Sequence, residues 1–82
     1  MSVGTERSEP LSALAQGDRA RIIAVEVPGP IRGRVLEMGF TIGTTVEVIG
    51  FAPLGDPMEV KVRGARVSLR KAEAASLLVE RI

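Results

Sequence analysis

Apolar and polar residues alternate most strictly between positions 58 and 70. Met58, Val60 and Val62 alternate with Glu59, Lys61 and Arg63; Ala65, Val67 and Leu69 alternate with Arg66, Ser68 and Arg70. A period of two places each set on one face of a pleated strand. With Arg63-Gly64 as a two-residue loop, Val62 falls opposite Ala65, Val60 opposite Val67, and Met58 opposite Leu69. A slip of one residue would turn the whole apolar set to the wrong face, so this register is strongly specified. The wet face then carries Lys61 opposite Arg66 and Glu59 opposite Ser68. Directly opposed like charges are mildly destabilising, which marks this face as a candidate surface for a partner. Thr45 to Phe51 reads as the preceding strand, with Val46 and Val48 turned inward. Gly50 interrupts its alternation and predicts a bulge or sharp bend.

The chain on either side supports the same kind of fold. Residues 1–9 are polar and aperiodic and read as a disordered tail, leaving residues 10–82 as one domain. Ser12 is placed to cap a helical turn over Ala13 to Gln16, stopped by Gly17. Arg19 to Val27 predicts the first strand, with Ile23, Val25 and Val27 on one face and Ile22 and Ala24 on the other. Pro28-Gly29-Pro30 ends it. A helix follows from about Pro30 to Met38, with an inward stripe of Ile31, Val35 and Met38. Gly39 suits the position just past the helix end, with Phe40 packing back on the last turn. Ala52 to Pro57, with two prolines and a glycine, is a loop. Arg70 to Ser76 predicts a short helix and Leu77 to Ile82 a last strand. About five short strands, one inserted helix after the first strand and short helical turns near each end describe a mainly β, partly open small barrel.

Composition narrows the chemistry. The 82 residues contain no His and no Cys, removing the commonest general base, the commonest nitrogen ligand and every thiolate. The acidic residues are scattered without ligand spacing, so no metal site and no cofactor are expected. No nucleophile–base pair can be drawn, and the glycines fit no phosphate-binding loop; the chain is not expected to be an enzyme. Two Phe are the only aromatics and the net charge is +1, which gives little stacking surface for bases and no global attraction to polyanions. The N-terminal residues lack the apolar core of a signal peptide and no segment is long enough to span a bilayer, so a cytoplasmic location is expected.

One charge run stands out. Lys61, Arg63, Arg66, Arg70 and Lys71 follow one another with no acid between. Such a run either meets an acidic or anionic partner or keeps a sheet edge soluble. Leu54, set in a turn between prolines, either folds over the barrel mouth or stands out as an apolar anchor.

The segments LEMGFTIGT, APLGDPMEVKVRG and SLRKAEA together resemble the FeoA family of small bacterial ferrous iron transport proteins, and the likeness runs over residues 11–82. The resemblance implies an SH3-like β-barrel with a helix after the first strand. It also implies function by contact with FeoB, a membrane ferrous-iron permease whose cytoplasmic part is a GTPase domain, so that the chain would meet the membrane only through that partner. A chain without His or Cys makes a poor iron carrier, which points to a regulatory role rather than metal transfer. Exposure and shape, not the resemblance, pick out the contact candidates: the loop Leu54, Gly55, Asp56 and Pro57; the helix end Met38, Gly39 and Phe40; and the hairpin cations Lys61, Arg63 and Arg66. Arg63 or Arg66 is also a candidate arginine finger toward a partner's nucleotide. The alternative is a nucleic-acid-binding or repressor-associated barrel of the same shape, favoured by the clustered cations and opposed by the near-zero net charge. First and last strands with open edges would permit a homo-oligomer.

Overall fold

A computed structural model describes residues 8–82. The expected tail, residues 1–9, falls mostly outside them; its last residue, Glu9, is paired within the sheet. Strands β1 (Glu9–Pro10), β2 (Arg19–Val25), β3 (Thr45–Phe51), β4 (Met58–Val62), β5 (Ala65–Leu69) and β6 (Leu77–Arg81) form one antiparallel sheet in the order β1-β6-β2-β3-β4-β5. Helix α1 (Gly29–Glu37) links β2 to β3 and the short α2 (Lys71–Ala74) links β5 to β6. The sheet curls around a core that includes Ile22, Val35, Phe40, Val46, Val48, Met58, Val60, Val62, Leu69, Leu77 and Val79.

The β4–β5 hairpin has the predicted register at every position: Val62 pairs with Ala65, Lys61 with Arg66, Val60 with Val67, Glu59 with Ser68 and Met58 with Leu69. The turn explains why. Arg63 and Gly64 both have positive φ, 52° and 81°, the backbone of a two-residue turn whose twist matches that of the strands. Ala65, beside the turn, is exposed rather than buried with the rest of its set. The break flagged at Gly50 is a bulge: Val48 pairs with Val60 and Gly50 with Glu59, so Ile49 is the extra residue.

A second bulge corrects the predicted face of β2. Ile22 pairs with Val79 and Ala24 with Leu78, leaving Ile23 without a partner on β6. The extra residue inverts the alternation, so Ala20 and Ile22 point inward before it and Val25 and Val27 after it, while Ile23 is only half-buried. The strand also ends at Val25, two residues before the predicted Val27.

The N-terminal helical turn is likewise displaced. It is a 3-10 turn over Leu11–Ala13 preceded by Pro10, and Ser12 makes no capping bond. Asp18 stops a helix over Ala13 to Gln16: its carboxylate accepts the Ala15 N–H at 2.8 Å, and its own N–H donates to the Ala15 carbonyl at 3.0 Å. Leu11 and Leu14 are buried.

Helix α1 closes as the sequence demanded. Gly39 has φ +105°. Its N–H donates to the Leu36 carbonyl at 3.0 Å and the Phe40 N–H to the Val35 carbonyl at 3.3 Å. These two bonds satisfy carbonyls that the helix end would otherwise orphan. Arg32 Nη1 donates to the Val25 carbonyl at 2.6 Å, holding the helix to the end of β2. Helix α2 is shorter than the predicted Arg70 to Ser76. Glu73 Oε1 accepts the Arg70 N–H at 3.1 Å at its start, and the Ser76 N–H returns to the Glu73 carbonyl as the chain turns into β6. No helix among the described residues is long and apolar enough to cross a membrane.

Candidate partner-binding surface

The loop between β3 and β4 presents one side chain almost entirely to solvent: Leu54 is 96% exposed. Its backbone is nevertheless well tied. The Ala52 N–H donates to the Pro57 carbonyl at 2.9 Å and the Gly55 N–H to the Ala52 carbonyl at 2.7 Å. Asp56 Oδ1 accepts the Lys71 N–H at 3.0 Å, fastening the loop to the start of α2. Gly55, at φ +89°, supplies the conformation that turns the chain back. Of the four loop candidates, Leu54 and Pro57 are free to touch a partner, while Gly55 and Asp56 chiefly shape and anchor the loop. Of the two alternatives for Leu54, the one folded over the barrel mouth is not the one adopted.

The helix-end candidates separate in the same way. Met38 is half-buried, Gly39 is buried, and Phe40 is a fully buried core residue, so it offers no contact surface. The packing of Phe40 back on the last turn of α1, expected from its place after Gly39, is what removes it from the contact candidates.

The hairpin cations do not form one uniform patch. Arg63 lies back over the helix end. Its Nη2 donates to Thr41 Oγ1 at 3.1 Å and to Thr44 Oγ1 at 3.4 Å, and those hydroxyls are 2.8 Å apart. A Cβ added at Gly39 would stand 3.1 Å from Arg63 Cδ. Arg63 therefore clamps the hairpin tip to the residues after α1, and as it stands it is not extended toward a partner's phosphates. Lys61 and Arg66 stay exposed on the outer face. Pairing places them in a cross-strand row, Arg19 beside Glu47, Glu47 beside Lys61, and Lys61 beside Arg66. Glu47 offsets the first two cations. Arg66 reaches Glu59 at 4.0 Å with both groups well exposed, a contact worth little.

Two polar devices escaped the sequence. Arg81 bridges Glu9, at 2.7 Å from Nε, and Asp18, at 2.9 Å from Nη1. It thus joins β1, the turn before β2 and the end of β6, and the hydrogen bond to Glu9, ahead of the field of Asp18, holds its pKa above the ordinary arginine value. The partners are 63 and 72 residues away, so no local pattern could have shown them. Glu73 is the one buried charged residue among those described, with Arg34 3.4 Å away. An acid at the third position of a helix is a start signal, but the arginine at the cap position hid it. Among the described residues no group of three or more acidic side chains is placed to hold a metal ion.

Comparison with known proteins fits this architecture. The FeoA domain model matches residues 9–81. The chain is 47% identical over 72 residues to a Porphyromonas gingivalis Fe(2+) transport protein A/Fe(2+) transporter FeoB fusion protein; the match covers 88% of this chain and 8% of that much longer one. Its fold superimposes on the FeoA-like protein of Clostridium acetobutylicum with a TM-score of 0.85 at 32% identity, covering 93% of this chain and 88% of the other. The zinc complex of Stenotrophomonas maltophilia FeoA, described as a procaryotic SH3 domain protein, gives a TM-score of 0.74 at 29% identity, covering 87% and 88%. The described sheet is that SH3-like barrel, with β1 added to the five strands foreseen, and the chain belongs to the FeoA domain family.

Proposed function

We propose that this protein is an accessory component of bacterial ferrous iron uptake that binds the cytoplasmic GTPase region of the permease FeoB and regulates it. The observation that carries this reading is the relative in which the same domain is fused to FeoB in one polypeptide. Fusion keeps two parts at high local concentration and is useful where they act on each other. The surface agrees with a contact role. It offers a single exposed leucine on a tied loop and a modest cationic face at Lys61 and Arg66, and the chain has neither His nor Cys with which to carry iron.

The contact surface in this reading is Leu54 with Pro57 on the β3–β4 loop, Met38 at its exposed margin, and Lys61 and Arg66 on the outer face. Gly39, Gly55, Asp56 and Arg63 hold those elements in place. Cytoplasmic location follows from the partner, and attachment to the membrane is through it alone. Titrating the permease's cytoplasmic region with this protein, with and without guanine nucleotide, tests the reading. Saturable binding with altered nucleotide turnover is expected; absence of binding at tens of micromolar in both nucleotide states and with the full permease in membranes would overturn it.

A further inference from the structure

The two edges of the sheet are built differently. β1 is two residues long, one of them Pro10, which has no N–H to offer, and Glu9 beside it is held by Arg81. That edge is blunted in a familiar way. β5 is five residues long and, among the described residues, pairs only with β4. Val62 and Ala65 flank the two-residue turn and exchange backbone hydrogen bonds, and the ladder alternates from there. Val67 and Leu69 therefore bond toward β4, whereas the N–H and C=O groups of Arg66 and Ser68 point away from the sheet.

We propose that β5 is an acceptor edge for an extended acidic segment of a partner protein, which joins the sheet as a further strand. Charge selects the occupant. No acid occurs between Lys61 and Lys71. Arg66 and Ser68 are exposed on β5, and Arg70 follows at its end with no ion pair among the described residues. Arg34, Pro57, Ser68 and Arg70 frame a concavity at that end. An added strand with carboxylates four positions apart on one face would set them near Arg66 and Arg70. Between them, on the other face, an apolar residue would cover Val67, which is only partly buried against the core. A second copy of β5 is a poorer occupant than an acidic strand, because it would bring a second set of cations and no acid to an edge that already carries Arg66 and Arg70. Main-chain bonds supply affinity in such strand addition and the alternating side chains supply choice.

The inference rests on the proposed binding role only in taking the occupant to be a protein segment. Its test is an NMR titration of the isotope-labelled full chain with a capped peptide containing Glu-Val-Thr-Val-Glu. The largest shifts are expected at the Arg66 and Ser68 amides, with slowed hydrogen exchange at both. Arg66→Glu should weaken binding by about tenfold or more. Ser68→Pro, which removes one outward N–H at an edge position where proline is tolerated, should weaken it by about as much. A peptide with Lys in place of Glu should not bind. Shifts confined to the Leu54 loop, or binding unchanged in both variants, overturn the proposal. Concentration-dependent changes at the same amides without peptide also overturn it, in favour of self-pairing. If the permease region binds while the peptide leaves β5 untouched, this inference falls and the proposed function stands; peptide capture at β5 without permease binding gives the reverse.

Discussion

Gly39→Ala isolates the joint that holds the hairpin to the helix. At φ +105° an alanine sits outside the conformations open to L-residues, at a cost of about 1–2 kcal/mol. Its Cβ would stand 3.1 Å from Arg63 Cδ and 3.4 Å from Val62 Cγ2. Val62 is core and cannot retreat, so the Arg63 side chain must, giving up its bonds to Thr41 and Thr44. Those exposed bonds are worth about 0.5–1 kcal/mol together. The expected loss is about 1.5–3 kcal/mol, which for a domain of this size lowers Tm by roughly 6–24 °C. Urea denaturation followed by far-ultraviolet circular dichroism measures it, since the chain has no Trp or Tyr to report by fluorescence. Arg63→Ala alone should cost about 0.5–1 kcal/mol. If the methyl displaces Arg63, the double variant is less destabilised than the sum of the singles by about that amount. A Gly39→Ala protein within about 0.5 kcal/mol of wild type would refute the strain, strict additivity would refute the displacement of Arg63, and an Arg63→Ala protein as stable as wild type would refute the clamp.

Other substitutions divide stability from binding. Leu54→Ala should leave the urea midpoint unchanged, because the side chain touches little, while weakening permease binding by roughly 5- to 30-fold in a titration. Phe40→Ala should cost about 3–5 kcal/mol, enough to abolish most of the folding transition of a small domain. Arg81→Ala should speed hydrogen exchange of the β1–β6 pair and leave the β4–β5 hairpin amides unaffected, as native-state exchange would show.

The parts of the fold that were legible in the sequence are those where one physical rule acted alone. The β4–β5 register followed from strict alternation meeting a turn that needs positive φ at Arg63 and Gly64. The end of α1 followed from a glycine at the position where only glycine is comfortable. The bulge at Ile23 was not legible because Ile22, Ile23 and Ala24 are all apolar, so parity could shift without leaving a mark. β1 was not legible because two residues carry no period; its existence depends on β6, at the far end of the chain. The candidate surface suffered the same limit. Of the contact candidates, Phe40 is held in the core at the place after Gly39 where it was expected to pack back, and tertiary packing turned Arg63 onto Thr41 and Thr44. Leu54 stayed exposed because prolines on either side and the Asp56 bond to Lys71 leave its loop no route to the core.

That rigidity bears on how so small a domain can bind at all. A leucine buried fully at an interface contributes about 1.5–3 kcal/mol, but ordering a mobile loop around it costs a comparable amount. Here the loop is closed on itself by Ala52, Gly55 and Pro57 and fastened to α2 by Asp56 before any partner arrives. In the proposed contact, nearly all of the Leu54 contribution would then be available for association. The same holds for Lys61 and Arg66, whose strands are fixed by the most strongly specified register in the chain. In the proposed contact, pre-organisation of a few exposed groups would let a weakly charged surface with few aromatics discriminate between partners.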